Sequence, residues 1–388
     1  MRFTFALLSI LWIVGCAGSN SGSGLSTGKT NDESGGVSSS GSSSSAEFIF
    51  VTSLVESAGA NENVLLFEKS SSSCSLTLLN TYTVGPDPYD LVYHRGTATL
   101  YVANSGNASI DAFRFNTTTK TLTSAGTITQ VGPTGTPLPF MMAVHSSGYL
   151  YSVDGNATTS SIGQFLQNTS TGTLTQLANP NQYVTSAGRL WFIALAGNHI
   201  YANDYSNNVI RQYGVNTGTG VLTAFGTPQA TGTQPWSMFV HPSGNFVYVA
   251  NSAAGGGSVS QYARDTGTGQ LSVIAGGPHA AGNNTIGLAV GTSHVFASAT
   301  GNGRIYQFNV NTSTGALTAN GFTSTVRANP YGIMLSKNED CLYAAELDGT
   351  NGASANDEIG IYSVSGGTLT RQGAISGGVG PRFFALAY

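Results

Sequence analysis

From residue 46 onward, apolar residues come in short bursts separated by stretches rich in Gly, Ser, Thr and Asn, and one burst recurs seven times. It reads Phe48-Ile49-Phe50-Val51, Leu100-Tyr101-Val102-Ala103-Asn104, Leu150-Tyr151-Ser152-Val153-Asp154, Ile200-Tyr201-Ala202-Asn203, Val247-Tyr248-Val249-Ala250-Asn251, Val295-Phe296-Ala297-Ser298 and Leu342-Tyr343-Ala344-Ala345-Glu346. Its aromatic residue falls at 50, 101, 151, 201, 248, 296 and 343, a spacing of 47 to 51 residues. That interval holds four short strands with their turns, the length of one propeller blade.

Other segments repeat in phase with the burst. Ahead of it lies a continuous apolar run, often opened by proline: Pro88 to Tyr93, Pro139 to Val144, Pro235 to Val240 and Pro330 to Leu335. Unbroken apolar runs are expected of strands buried on both faces. A tight turn follows, as in His241-Pro242-Ser243-Gly244. After the burst come a polar loop, a third strand such as Val259-Ser260-Gln261-Tyr262, and a Gly-bearing hairpin such as Thr171-Gly172-Thr173-Leu174-Thr175. The first repeat lacks its opening run, while the chain ends on a spare one, Pro381 to Tyr388. The sequence therefore predicts an all-β, seven-bladed propeller over 46–388, with four-stranded blades and a ring closed by the C-terminal strand beside Phe48 to Ser53. Closure removes the free sheet edge that an open array, such as the rival parallel β-helix, would carry.

The N-terminus changes the picture of where this domain works. Arg2 precedes an apolar run, Phe3 to Val14, too short to span a bilayer. The run ends in Ile13-Val14-Gly15-Cys16, which resembles a bacterial lipobox. Residues 1–15 are read as a lipoprotein signal peptide, with Cys16 as the lipidated residue. Residues 16–45 are read as a Ser/Gly-rich tether spanning about 30 Å. The expectation is an exported, lipid-anchored protein of the bacterial cell envelope, and Ala17 after Cys16 points to the outer membrane if the host is Gram-negative.

Composition narrows the partners. The chain is 8% charged with a net charge of −4, so no basic surface is available for nucleic acid. The surface must be covered mainly by Ser, Thr, Asn and Gly. A monomer is expected. Beyond Cys16 only Cys74 and Cys341 remain, either as a disulfide permitted by export or as two free thiols.

The repeat places candidate chemistry at one end of the ring. Aligned by phase, the mouths of the inner strands carry Tyr89, Phe140, Arg189, Trp236, Asn284, Tyr331 and Arg382, while the loops after the second strands contribute Asn104, Asp154, Asp204, Asn251 and Glu346. Aromatic faces with Arg and Asp suit a sugar, a sugar acid, a lactone or a peptide carboxylate. The competing reading is that the aromatic residues simply plug the tunnel. His94, His145 and His241 open turns at the opposite end and belong to different blades, which favours a turn role over a metal site. Asp348, Asp357 and Glu358 lie in a loop without calcium-loop spacing. No metal and no cofactor is called for.

Taken together, the Pro-opened strand, the Pro-Ser-Gly turn, the Tyr-Val-Ala-Asn burst and the Thr-Gly-x-Leu-Thr hairpin resemble the lactonase-type seven-bladed propellers, which include propeller 6-phosphogluconolactonases. The likeness runs over residues 46–388 and is densest from His241 to Leu271. It implies the propeller fold and lactone hydrolysis. The family's His and Arg positions, however, fall here on Gln234-Pro235-Trp236-Ser237 and Pro330-Tyr331-Gly332, which carry neither residue. Three functions follow: a ligand- or protein-binding surface lipoprotein; a lactone hydrolase, with Asp154, Asp204 or Glu346 activating water; and a structural cell-surface module. The departures favour the first.

Overall fold

A computed structural model describes residues 15–16, 46–53, 62–133, 137–155, 160–186, 188–348, 354 and 356–388. Most of residues 1–45, which the sequence reads as signal peptide and tether, lie outside the described residues; Gly15–Cys16 runs parallel to Phe384 and Ala385.

The seven recurring bursts each form the second strand of a sheet, and the sheets stand round a common axis as the blades of a propeller. The inner strands are Pro88–His94, Pro139–Val144, Leu190–Ala196, Pro235–Val240, Thr285–Val290, Asn329–Leu335 and Pro381–Ala387. Each packs on the next, the last returning to the first. Blade one is assembled from both chain ends: Pro381–Ala387 pairs antiparallel with Glu47–Ser53, with Phe48 opposite Ala387 and Ser53 opposite Pro381. In blades three to five the outer strand is split in two, both halves pairing with the third strand. Pro180, Pro228 and Pro278 fall in the three gaps, where a residue without an N–H cannot continue the ladder.

The aromatic marker of each burst is fully buried, and its repetition has a specific cause. The hydroxyls of Tyr101, Tyr151, Tyr201 and Tyr248 donate to the carbonyls of Gly172, Gly220, Gly269 and Gly315 at 2.6–2.8 Å. Each bond ties a second strand to the outer hairpin of the following blade. Gln164, Gln212 and Gln261 on the third strands add a parallel tie, their side-chain oxygens accepting from the N–H of Leu222, Leu271 and Leu317. The Thr-Gly-x-Leu hairpin is thus the clasp between blades, and its Gly adopts φ near +75° to +83° to turn back.

At the seam between blades seven and one the clasp is covalent. Cys74, in the hairpin before the outer strand of blade one, is disulfide-bonded to Cys341 on the second strand of blade seven, with Cα atoms 5.5 Å apart. Tyr343 still donates to the Cys74 carbonyl at 3.0 Å. The bond links residues 267 apart, and a closed loop that long lowers the entropy of the unfolded chain. Guanidinium unfolding with and without reductant is expected to show a loss of about 2–5 kcal/mol on reduction. The Cys74→Ser/Cys341→Ser variant should match the reduced protein and be insensitive to reductant.

Candidate functional site

All seven inner strands break register with their second strands near their start, six directly after their first residue and Asn329–Leu335 after its second, Pro330. A bulge of this kind re-aims the side chains that it carries. The bulge residues are Tyr89, Phe140, Trp191, Trp236, Ile286, Tyr331 and Arg382, so one position per blade is set at the mouth of the channel. Five of the seven predicted mouth residues occupy it. Arg189 and Asn284 do not: they lie two residues before the bulges of blades four and six, where Trp191 and Ile286 stand instead. Those two inner strands start at Leu190 and Thr285 without the proline that marks the others, which removed the reference point for alignment.

The bulge residues pack into an aromatic layer. Tyr89 meets Phe140 edge-on at 4.2 Å between centroids, Phe140 stacks on Trp191 at 5.3 Å, and Trp191 meets Trp236 at 5.5 Å. Phe140, Trp191, Trp236, Tyr331 and Arg382 are buried, so much of this layer does fill the tunnel mouth. Tyr89, Tyr205 and Arg189 remain partly exposed above it. The Arg189 guanidinium lies 3.9 Å from the Trp191 ring centre and 5.9 Å from that of Tyr205. It is therefore at the mouth although outside the bulge, whereas Asn284 is an exposed turn residue with φ of 52°. The Tyr89 hydroxyl feels Arg382, Asp87, Arg189 and Tyr331, and burial pushes its pKa up to about 12, so it stays a neutral donor.

The polar residues that end the second strands share this end of the ring, as their pairing with the first inner-strand residues requires. Their side chains are buried, and most are bonded within their own blades. Asn104 donates to Ser109 Oγ and Asp111 Oδ2, and Asn251 to Ser258 Oγ and Ser260 Oγ. Asp154 accepts from Leu138 N–H at 3.0 Å. Asp204 accepts from the Asn207 N–H and side-chain amide and from Arg211 Nε and Nη2, the last at 2.6 Å. Glu346 accepts from the Tyr362 hydroxyl and faces Arg371 at 3.8 Å, and burial raises its pKa. Asp204 and Glu346 thus take part in networks within their own blades. The same position explains a spacing in the sequence. A Cβ on Gly85 or Gly232, each three residues before an inner-strand proline, would stand 2.7 Å from Asn104 or Asn251.

The turn histidines are held within the turns and to neighbouring blades. The Nδ1 atoms of His145 and His241 accept from the N–H of Ser147 and Ser243, which places the proton on Nε2. Nε2 then donates across the blade boundary to Asn198 Oδ1 and to the Thr292 carbonyl. His94 Nδ1 pairs with Thr97 Oγ1. Asp357 accepts from the N–H groups of Asp348, Ser354 and Gly380, so it fastens its loop to the turn before the closing strand.

One acidic residue of the mouth was not singled out from the sequence. Glu62 ends the loop between the second and third strands of blade one, and its carbonyl accepts from Val84 N–H at 3.0 Å. Its carboxylate accepts from the Asp87 N–H and lies in the field of Arg382. Its Oε2 is buried and accepts no hydrogen bond among the described residues. Burial, followed by the Asp87 charge, raises its pKa to about 7 against the smaller opposing pulls of the Asp87 N–H and Arg382. No repeat marker points to it, because the chain between the second and third strands of blade one, 54–62, is longer than the four or five residues of blades two to six and has no counterpart there.

The profile of the family described as lactonase, 7-bladed beta-propeller, matches residues 191–286. Among solved structures, a protein from Bacteroides uniformis provisionally described as a 6-phosphogluconolactonase superposes with a TM-score of 0.71 at 17% identity, covering 88% of this chain and 99% of that one. The periplasmic gluconolactonase of Pseudomonas aeruginosa gives a TM-score of 0.69 at 16% identity, covering 89% and 99%. A protein from Lactobacillus plantarum gives 0.69 at 16% identity, covering 88% and 100%. At these identities the likeness establishes the fold. No curated protein matches in sequence.

Proposed function

Because the chain resembles the lactonase-type seven-bladed β-propellers, in fold around the whole ring and in sequence over residues 191–286, we propose that it is an exported, lipid-anchored binding protein for sugar acids or their lactones. The observation that carries this reading is the mouth itself: a floor of aromatic bulge residues with Arg189 lying over Trp191. An aromatic face takes the apolar side of a sugar ring, and a guanidinium above it takes a carboxylate. Arg382 adds positive potential from the floor. Lipidation of Cys16 would hold this mouth in the envelope, where the Pseudomonas relative is named as periplasmic.

Calorimetric titration of the soluble domain with glucuronate tests the reading. Arg189→Ala, at a partly exposed position, should weaken binding by about 1.5–3 kcal/mol while melting like the parent; Arg382→Ala should weaken binding on the same scale and also lower the melt, because Arg382 is buried. Unaltered affinity in both variants would remove the mouth from the site. Fatty-acid label that persists in a Cys16→Ser variant would defeat the anchor.

A second reading, lactone hydrolysis, is favoured by the family profile. Consumption of 1,5-gluconolactone by the domain above its spontaneous rate would establish it. In that case water activation by Asp204 or Glu346 is disfavoured by their blade-internal bonds.

A further inference from the structure

Blade four brings a cation and an aromatic ring to the mouth as a pair. Arg189 and Tyr205 extend the ladder between its inner and second strands beyond Leu190 and Asp204, the Tyr205 N–H donating to the Arg189 carbonyl at 2.8 Å. Their side chains meet over the aromatic layer: the guanidinium lies 3.9 Å from the Trp191 ring centre and 5.9 Å from that of Tyr205. The Tyr205 ring is braced by Trp191 and Trp236, at 5.7 and 5.9 Å between centroids. Both members of the pair stay partly exposed. Among the described residues the Arg189 side chain makes no ion pair, and its buried Nε has no acceptor, whereas Arg211, Arg327 and Arg371 all pair with acids. We propose that the mouth selects closed-ring uronic acids over open-chain sugar acids, and that Tyr205 is the residue that makes the selection. This rests on the mouth being the ligand site.

The physical reason is which surfaces remain open beside the charge. The guanidinium covers Trp191, and Phe140 and Trp236 are buried, so the layer itself offers a ligand little free aromatic face. Tyr89, the other partly exposed ring, packs on Phe140 and Phe383, toward blade one. Tyr205 is the ring that stands next to the unpaired cation. A pyranose presents a face of C–H bonds, whose partial positive charge suits the negative face of an aromatic ring. A closed uronic acid carries its carboxylate at the edge of that face. One small molecule can therefore lay its ring on Tyr205 and bring its carboxylate to Arg189, the two being 5.9 Å apart. An open-chain acid offers the same carboxylate, but its hydroxyls leave it no continuous C–H face, and it gives up free torsions on binding. It keeps Arg189 and forgoes Tyr205.

The test is calorimetric titration of the soluble domain with glucuronate and with gluconate. The parent should bind glucuronate about fivefold to tenfold more tightly than gluconate. Tyr205→Ala should lose that preference, with glucuronate weakened by the same factor and gluconate bound as before. Tyr205→Phe keeps the ring and should keep the preference. Arg189→Ala should weaken both acids alike, by about tenfold or more. Tyr205 is partly exposed and its backbone bond to Arg189 survives substitution, so both Tyr205 variants should melt like the parent. Equal weakening of the two acids by Tyr205→Ala would make Tyr205 a mere support for Arg189 and overturn the selection. Loss of the preference in Tyr205→Phe, or equal affinity of the parent for both acids, would overturn it too. In those cases weaker binding by Arg189→Ala would leave the mouth as the site. Failure of glucuronate, galacturonate and gluconate to bind the parent would overturn the mouth reading and the selection with it.

Discussion

Deletion of Pro381–Tyr388 is expected to abolish the cooperative fold of the whole domain rather than fray its end. These residues are the inner strand of blade one, hydrogen-bonded along Phe48 to Ser53 and packed against the inner strands of blades two and seven. Phe383 and Phe384 are fully buried, and losing a buried Phe typically costs about 3–5 kcal/mol. Two such losses reach the 5–15 kcal/mol by which a domain is usually stable, before the strand ladder is counted. Tyr388 adds a second fastening: its ring lies 3.4 Å from the Arg95 guanidinium carbon and 4.1 Å from Lys337 Nζ. The deleted chain keeps the Cys74–Cys341 bond, so the experiment separates strand closure from covalent closure. A truncated protein with the parent's circular-dichroism melt would refute closure by the C-terminal strand.

The parts of this architecture that were legible in the sequence are those that repeat. Each aromatic marker is visible because one geometry, a second strand clasped to the next hairpin, is imposed repeatedly round the ring. Where the hydroxyl is dispensable the marker degrades to Phe, as at Phe50 and Phe296, yet remains buried. The spare C-terminal strand was legible for the same reason, since its Pro381 stands in phase with the other opening prolines. The split outer strands were not, because those segments are short and partly exposed, and Pro180, Pro228 and Pro278 mark the breaks without showing that both halves pair with the third strand. The disulfide could only be left open: sequence puts Cys74 and Cys341 on neighbouring blades, but pairing depends on a Cα separation that spacing does not give.

The site was legible only as far as the phase held. Tyr89, Phe140, Trp236, Tyr331 and Arg382 follow an opening proline and were found by counting from it. Blades four and six lack that proline, and there the bulge holds Trp191 and Ile286, two residues beyond Arg189 and Asn284. Side-chain direction was the larger gap. The register places Asn104, Asp154, Asp204, Asn251 and Glu346 at the mouth end, but direction there depends on bonds such as Asp204 to Arg211, made seven residues further along. The character of Glu62 comes from burial and from Asp87, neither of which has a sequence pattern.

Asp204→Ala is the substitution that most directly separates a structural carboxylate from a reacting one. Asp204 is fully buried and accepts four hydrogen bonds, two from Arg211 and two from Asn207. Removing the carboxylate leaves a partly buried guanidinium unpaired and frees the turn at 205–208. Breaking a buried pair in this way costs about 3–5 kcal/mol, and the partial exposure of Arg211 places the expected loss near the lower figure. Asp204→Asn, which keeps the volume and part of the hydrogen bonding, should lose less. Arg211→Ala combined with Asp204→Ala should fall well short of the sum of the single losses, because the two changes remove one shared interaction. Glucuronate affinity, and any turnover of 1,5-gluconolactone, should be unchanged in Asp204→Asn at temperatures where it is folded. The opposite pattern, a parental melt with turnover abolished, would make Asp204 a reacting group and overturn its assignment to the blade.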